Sequence, residues 1–315
     1  MDRESHRYSP YATPSATREV LGRHGLYTKY ALGQNFLVND DVVRKILELA
    51  DVSKSDHVLE IGPGIGTLTA ALLQNAGHVT AIEMDNDLPD VLADTLAPWA
   101  DRFTLLSMDA LDVREEDLAG ASMLGGNSDG IALPNKLVAN LPYAVAATVV
   151  LDYLQRFPFL ESATVMVQKE VADRMMAKPG SKAYGAYTVK LSLYAQPAGR
   201  FPVAPGNFFP PPHVESAVIR LDRTAMHDDE GNALSPEALD AVCRMADAAF
   251  ATRRKTLANS CKTYFASEPD VQAALPSLFE RAGIDARRRG ETLSQAEFIR
   301  LGLALLESRK HSQTL

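Results

Sequence analysis

Four consecutive residues, Asn140-Leu141-Pro142-Tyr143, combine an amide side chain, a proline and an aromatic ring. They follow the apolar run 136–139, which is typical of a buried strand. Pro142 has no backbone N–H group and a fixed φ, so the strand must end there. The loop would then offer acceptors for the N–H groups of a planar base that carries an amino group, and a ring on which that base can stack. A plain strand end followed by a turn would use the same residues, so the rest of the chain has to decide.

A glycine turn is the second candidate for chemistry. Gly62, Gly64 and Gly66 follow an apolar strand at 57–61 and precede a helix that begins near Thr67. Their spacing is G-x-G-x-G and differs from the G-x-G-x-x-G pattern of dinucleotide-binding folds. Three glycines alone indicate little, because any tight turn from a strand into a helix can use them.

Acidic residues stand at the ends of three successive predicted strands around this turn. Glu60 lies inside the end of the first strand, Glu83 ends the second, and Asp109 follows the third. Glu83 is near the position from which an acid binds ribose hydroxyls in such units, and Asp109 can accept from an exocyclic amine. So acidic a site would repel a pyrophosphate but suits the sulfonium and ammonium groups of S-adenosylmethionine. The pattern therefore favours a methyltransferase over an NAD enzyme.

Alternating strands and helices position these residues. The alternation predicts a doubly wound, mainly parallel sheet of the α/β class, followed by a purely helical segment from Ser235-Pro236 onwards. Asn39 or Asp40 is expected to cap a helix that precedes the first core strand, and Ser294–Glu297 forms a capping box. The predicted strands cover residues 57–61, 79–82, 103–107, 136–139, 164–168, 200–203 and 214–221.

Length and composition set further bounds. A chain of 315 residues is long for one core, which favours two domains. No apolar run is long enough to cross a bilayer. Residues 1–28 are expected to be a disordered tail, since the start of the chain lacks the apolar segment of a signal peptide. Cys243 and Cys261 have no metal-binding spacing, so reduced thiols and a cytoplasmic location are expected.

Charge is unevenly distributed along the chain. The net charge is −8, but residues 241–315 hold twelve Lys and Arg against eight Asp and Glu, a net charge of +4. The first 240 residues must then carry −12. An acidic body with a basic C-terminal part is compatible with a nucleic-acid partner, although the overall charge is not.

Eight stretches between about Tyr30 and Leu305 follow, in order, the motifs of a known family. They are Gly33–Leu37 (GQNFL), Glu60–Thr69 (EIGPGIGTLT), Asp109–Leu111 (DAL), Asn140–Tyr143 (NLPY), Gln168–Arg174 (QKEVADR), Lys178–Gly185 (KPGSKAYG), Phe208–Ser216 (FFPPPHVES) and Arg253–Leu257 (RRKTL). In these stretches the chain is similar to the KsgA family of ribosomal RNA small-subunit adenine dimethyltransferases.

The resemblance implies a Rossmann-like class I methyltransferase with a seven-stranded, mainly parallel sheet, here 29–226, and a small all-α RNA-binding domain, here 234–315. It implies S-adenosylmethionine as cofactor and no metal. The implied reaction dimethylates N6 of two adjacent adenosines near the 3′ end of 16S rRNA in a late 30S precursor. A cytoplasmic monomer with no membrane contact is expected. The family's cofactor-binding positions correspond here to Asn35, Leu37, Gly62, Glu83, Asp109 and Asn140.

The target base is expected at the opening motif. Asn140 and the Leu141 carbonyl would accept from its amino group, with Pro142 shaping the loop, while Tyr143 and, by resemblance, Phe208 would sandwich the ring. Phosphate contacts are expected from two basic runs in the C-terminal part, although a solvated helix face is the usual role of such runs. These predicted RNA-binding residues are Arg253, Arg254, Lys255, Arg287 and Arg288.

Some positions depart from the family pattern, and two alternatives remain open. Ala144 replaces a usual Asn, His213 a frequent Lys, and Glu215 a frequent Asp, which leaves the loop's rigidity and one RNA contact in question. One alternative is an Erm-type enzyme that modifies 23S rRNA. The other is a ribosome assembly factor that binds RNA structurally with little activity.

Overall fold

The structure, a computed structural model, describes residues 7–27, 34–123 and 132–312. Within these residues it contains nine strands and twelve α-helices. The strands are β1 (Phe36–Leu37), β2 (His57–Ile61), β3 (His78–Glu83), β4 (Phe103–Ser107), β5 (Lys136–Asn140), β6 (Ser162–Gln168), β7 (Ala195–Val203), β8 (Phe208–Phe209) and β9 (Ser216–Arg223). The helices are α1 (Pro14–Arg23), α2 (Asp40–Ala50), α3 (Thr67–Asn75), α4 (Pro89–Thr95), α5 (Glu115–Met123), α6 (Ala146–Arg156), α7 (Lys169–Met175), α8 (Ala186–Ser192), α9 (Pro236–Phe250), α10 (Leu257–Tyr264), α11 (Pro269–Arg281) and α12 (Gln295–Ser312).

A seven-stranded sheet confirms the predicted architecture. Its order is β4-β3-β2-β5-β6-β9-β7, and a separate two-stranded sheet pairs β1 with β8. Strands β2 to β6 pair in parallel, whereas β9 runs antiparallel to β6. The chain builds outward from β2 to β4 and then reverses direction at β5. In such sheets a crevice opens at this reversal, beyond the carboxyl ends of the strands, and ligands bind there.

Helix α2 forms where the sequence predicts it. The Asn39 side chain accepts hydrogen bonds from the backbone N–H groups of Asp41 (2.9 Å) and Val42, and so caps the helix. Val43 and Ile46 point into the core on the face expected from the 3.6-residue period.

The predicted disordered tail is wrong for residues 14–23, which form helix α1. Thr13 caps this helix through its side chain, and Pro14 occupies its first turn. Val20 and Leu21 are buried in a small apolar cluster with Phe36, which explains why the segment is ordered. Most other residues of this helix are polar, so the sequence shows no clear amphipathic pattern there.

A second correction concerns the stretch from Gly120 to Gly130, whose Gly, Ser and Asn residues predict a surface loop. Helix α5 continues through Met123, so the first four residues of this stretch are helical. The remainder lies outside the described residues.

The chain divides into two compact units, described here separately. The sheet unit comprises residues 1–172 and 197–223, and the helical unit comprises 173–196 and 224–315. Residues 173–196 fall within the predicted first domain, 29–226, but the structure groups them with the helices. Val189 and Leu193 are buried in the same cluster as Phe298, and the Tyr184 hydroxyl donates to the Leu293 carbonyl at 2.9 Å.

Helices α9 to α12 and the segment around α8 enclose the core of the helical unit. The capping box is confirmed, because the Ser294 N–H donates to the Glu297 carboxylate at 2.7 Å and the Glu297 N–H donates to the Ser294 hydroxyl at 3.3 Å. Cys243 and Cys261 are both buried free thiols in this core. Burial raises the pKa of Cys243 to about 11 and that of Cys261 to about 12, so both stay protonated and unreactive. Across the described ranges, no helix combines the length and the apolar character needed to cross a bilayer.

Candidate active site

A cavity of about 540 Å³ opens at the carboxyl ends of β2, β3 and β5, at the reversal of strand order. It gathers residues that are far apart in the sequence, among them most of the predicted site. The predicted residues that line it are Asn35, Leu37, Gly62, Glu83, Asp109, Asn140, Leu141, Pro142 and Tyr143. Glu60, Phe36 and Met84 line it as well.

The glycine turn forms the floor of this cavity. Gly62 and Gly64 have φ values of +69° and +59°, in the left-handed region that side chains disfavour. A Cβ on Gly64 would also lie 3.0 Å from Cε1 of the Phe36 ring. Both conditions require glycine at position 64, which leaves the backbone open to a ligand.

Two acids, Glu60 and Glu83, lie side by side in the wall. Glu60 is 1% exposed, and burial together with the charge of Glu83 raises its pKa to about 8. Burial also raises the pKa of Glu83, although its Oε1 accepts from the Asp85 N–H at 2.9 Å. Asp109 stands apart from them, because it is exposed and its Oδ1 accepts from the Leu111 N–H at 2.9 Å.

The Asn140 amide is oriented by one hydrogen bond. Its Nδ2 donates to the backbone carbonyl of Asn35 at 3.2 Å. Since a carbonyl can only accept, the nitrogen must face Asn35, which leaves the Oδ1 atom as an acceptor for another group. The next residue, Leu141, is tied to the sheet through its N–H group, which donates to the Met166 carbonyl at 3.1 Å.

Tyr143 is held at both ends. Its backbone follows Pro142, and its hydroxyl lies 2.6 Å from Oγ of Ser216, the fully buried first residue of β9. Burial raises the pKa of Tyr143, so its phenol stays protonated and does not serve as a base. In the sequence, Ser216 stands out only as the last residue of the motif Phe208–Ser216. Its contact with Tyr143 joins residues 73 apart, a distance across which the sequence carries no local signal.

The predicted stacking role of Phe208 disagrees with its position. Phe208 is 3% exposed, packs in the core cluster with Leu37 and Val203, and is not among the residues that line the cavity. Pairing of β8 with β1 directs this side chain into the core, while its neighbour Phe209 is half-buried with the Arg18 guanidinium 4.8 Å above its ring. In this position the Phe208 ring is not available to a base in the cavity.

In the helical unit the structure brings the two predicted basic runs together. The N–H groups of Leu257 and Ala258 donate to the carbonyls of Arg288 (2.7 Å) and Ala286 (3.0 Å). Three of the five predicted cations have acidic partners: Arg253 contacts Glu291, Arg287 contacts Asp285, and Arg288 contacts Glu297.

Arg254 and Lys255 differ from these three. They are exposed in the loop between α9 and α10, and in the described part of the chain their side chains make no hydrogen bond or ion pair. They are therefore the two predicted cations that are available to an anionic ligand.

Metal chemistry has no candidate centre in the described residues, where no cluster of three or more His, Cys, Asp or Glu could hold an ion.

The solved structures that this chain resembles place it in one fold class. A dimethyladenosine transferase from Plasmodium falciparum superposes with a TM-score of 0.70 at 22% identity, covering 87% of this chain and 98% of that one. The 23S rRNA methyltransferase ErmE gives a TM-score of 0.60 at 23% identity, with coverage of 86% and 99%. The fold is that of a Rossmann-like methyltransferase with an added helical region.

Sequence relatives define the family. The family model described as ribosomal RNA adenine dimethylase matches residues 26–301, and the chain belongs to this family. The ribosomal RNA small subunit methyltransferase A of Enterococcus faecalis is 38% identical over 302 residues, which are 96% of this chain and 98% of the relative. The protein of the same name from Corynebacterium diphtheriae is 41% identical over 294 residues, which are 91% and 93% of the two chains.

Proposed function

We propose that this protein transfers methyl groups from S-adenosylmethionine to N6 of two adjacent adenosines near the 3′ end of 16S rRNA, dimethylating each. It acts as a cytoplasmic monomer on a late precursor of the 30S subunit. The observation that carries the proposal is that one cavity holds both the acidic strand ends around the glycine turn and the Asn140–Tyr143 loop. The small-subunit substrate is taken from the names of the relatives at 38–41% identity.

The chemistry of the cavity wall fits the cofactor. Glu83 would hold the ribose hydroxyls and Asp109 the adenine amine, while the open backbone at Gly62 and Gly64 would accommodate the methionine end. None of the lining residues is Lys, Arg or His, so nothing there repels a cationic ligand. The cofactor, when bound, supplies an electrophilic methyl group on a positively charged sulfur.

The target amine needs acceptors more than it needs a base. Adenine N6 is a weak nucleophile because its lone pair is delocalised into the ring. Oδ1 of Asn140, directed by the bond from Nδ2 to Asn35, and the carbonyl of Leu141 would bind its two hydrogens and favour a pyramidal nitrogen. The proton becomes acidic once the new C–N bond forms, so positioning and preorganised dipoles carry most of the rate.

The methylation assay tests this function against its alternatives. The protein would be incubated with labelled S-adenosylmethionine and unmodified 30S particles, naked 16S rRNA or 23S rRNA. We expect dimethyladenosine on the 30S particles. Label only on 23S rRNA would instead identify an Erm-type enzyme. The fold of this chain is similar to that of ErmE and does not distinguish the two. Binding to 30S particles without any transfer would identify a structural assembly factor.

Phosphate binding by the loop between α9 and α10 gives a separate prediction. Arg254→Ala combined with Lys255→Ala should weaken RNA binding roughly tenfold and reduce the slope of log K against log salt by about 1 to 2, because two phosphate contacts are lost. Binding would be measured at several salt concentrations. Lys45→Ala with Lys262→Ala removes the same charge from two other exposed positions and is the matched control. An unchanged salt slope would show that these two side chains are only solvated and do not contact phosphate.

A further inference from the structure

Arg18 on helix α1 carries a positive charge that no acidic group of the described residues neutralises. Its side chain is exposed and forms no hydrogen bond or ion pair within those residues. Its guanidinium carbon instead lies 4.8 Å from the centroid of the Phe209 ring. The second arginine of α1, Arg23, differs, because it contacts Asp94 at 3.2 Å. Helix α1 therefore holds one paired arginine and one arginine that is fixed over a ring.

The contact between Arg18 and Phe209 lies beside the wall of the cavity. Leu21 follows Arg18 by one turn of α1 and is buried in a cluster with Phe36 and Leu88. Both of these apolar partners line the cavity. Phe209 lies directly opposite Phe36 in the antiparallel pair of β8 with β1, so the two rings are on the same face of that pair.

This arrangement prepares Arg18 to bind an oxyanion. A contact over an aromatic ring attracts the positive charge but supplies no lone pair, so the guanidinium keeps N–H donors in the fork geometry that matches phosphate oxygens. The half-buried Phe209 ring also restricts the long side chain of Arg18. Restriction before binding lowers the entropy cost of ordering the side chain on a ligand.

The position of Arg18 selects the kind of anion. Arg18 does not line the cavity, and no lining residue is Lys, Arg or His. An anion bound by Arg18 would therefore lie outside the cavity, beside its wall. A nucleotide base that enters a pocket leaves its sugar and phosphates at the mouth. The anion expected next to this wall is thus a phosphate of the RNA backbone.

We propose that Arg18, held by Phe209, binds a backbone phosphate next to the target adenosine and so positions the RNA strand for methyl transfer. The inference rests on the proposed function and adds an RNA contact in the sheet unit, separate from the predicted cations of the helical unit. A phosphate outside the cavity is bound equally well before and during the reaction. Loss of the contact should therefore raise KM for RNA and leave kcat unchanged.

Arg18→Ala and Arg23→Ala form a matched pair, since each removes one arginine from α1. In Arg18→Ala, kcat/KM for unmodified 30S particles should fall about 3- to 10-fold, and the slope of log kcat/KM against log salt should decrease by about 1. The expected kcat and the affinity for S-adenosylmethionine, measured by calorimetry, are those of the unaltered protein. Arg23→Ala should match the unaltered protein in all four quantities, because its arginine is already paired with Asp94.

Phe209→Leu tests the part played by the ring. It keeps an apolar side chain at this position but removes the π face under the guanidinium. We expect kcat/KM for 30S particles to fall in this variant as well, and Phe209→Leu combined with Arg18→Ala to lose no more than Arg18→Ala alone. Losses that multiply would show that Phe209 does not act through Arg18.

The outcomes separate this inference from the function on which it rests. If Arg18→Ala kept both kcat/KM and the salt slope while the unaltered protein methylated 30S particles, the role of Arg18 would be overturned and the methyltransferase proposal would stand. An equal loss in Arg23→Ala would also overturn it, because the effect would then belong to the whole helix. Weaker binding of S-adenosylmethionine by Arg18→Ala would identify the anion as the carboxylate of the cofactor instead. If the unaltered protein transferred no methyl group, the proposed function would fail and the inference with it.

Discussion

Asn140→Ala is expected to lower the rate of methyl transfer by about 10²- to 10³-fold, the range found when one preorganised group that stabilises a transition state is removed. The variant loses Oδ1, which the bond from Nδ2 to the Asn35 carbonyl leaves as an acceptor and which we propose binds the target amine. Binding of S-adenosylmethionine should fall by less than tenfold, because Glu83 and Asp109 remain. Single-turnover transfer and direct cofactor binding measure the two effects separately.

Asp109→Ala is the matched control for this prediction, since Asp109 lines the same cavity and is the proposed partner of the cofactor's adenine. It should show the opposite pattern, with weaker cofactor binding and transfer that recovers at saturating S-adenosylmethionine. If Asn140→Ala lost binding and transfer equally, Asn140 would serve the cofactor and the assignment of the target amine to it would be wrong.

Tyr143→Ala should reduce kcat/KM for RNA by about 10- to 100-fold with cofactor affinity unchanged, because stacking of a base on an aromatic ring is worth about 1–3 kcal/mol. The buried position of Phe208 sharpens this expectation, since within the sheet unit that ring does not line the cavity and would not compensate. Steady-state transfer at varied RNA concentration, together with cofactor titration, gives both quantities.

The tether between Tyr143 and Ser216 can be tested within the same experiment. Tyr143→Phe and Ser216→Ala each remove one side of the 2.6 Å hydrogen bond, which is worth about 0.5–1.5 kcal/mol for neutral groups. If the bond positions the ring, kcat/KM for RNA should fall about 2- to 10-fold in each variant. In the double variant it should be no lower than in either single variant. Losses that multiply would mean that the two side chains act independently.

Local chemistry predicted most of the fold and many of the residues that line the cavity. The proline after Asn140, the glycines after β2 and the capping box at Ser294 act through backbone geometry over a few residues, so the sequence alone reveals them. Acids at successive strand ends lie near one another because parallel strands end at the same edge of the sheet. The strand order alone predicts this, without knowledge of side-chain contacts between distant residues.

The errors share a different physical cause, because each depended on contacts between distant residues. Phe208 and Phe209 are both aromatic, and only the pairing of β8 with β1 decides which ring enters the core. Helix α1 is ordered by burial against Phe36, which lies outside the helix and further along the sequence. The ion pair between Arg288 and Glu297 was not predicted either, and the RNA-binding role of Arg288 stays a prediction.

The two buried thiols of the helical unit have a practical consequence for unfolding experiments. Cys243 and Cys261 are the only cysteines of the chain, so a thiol reagent reacts with the native protein only when the helical unit opens. The single tryptophan, Trp99, is half-buried against the core of the sheet unit. Thiol labelling and tryptophan fluorescence thus report on the two units separately, without any engineered probe, and reveal whether they unfold together or in sequence.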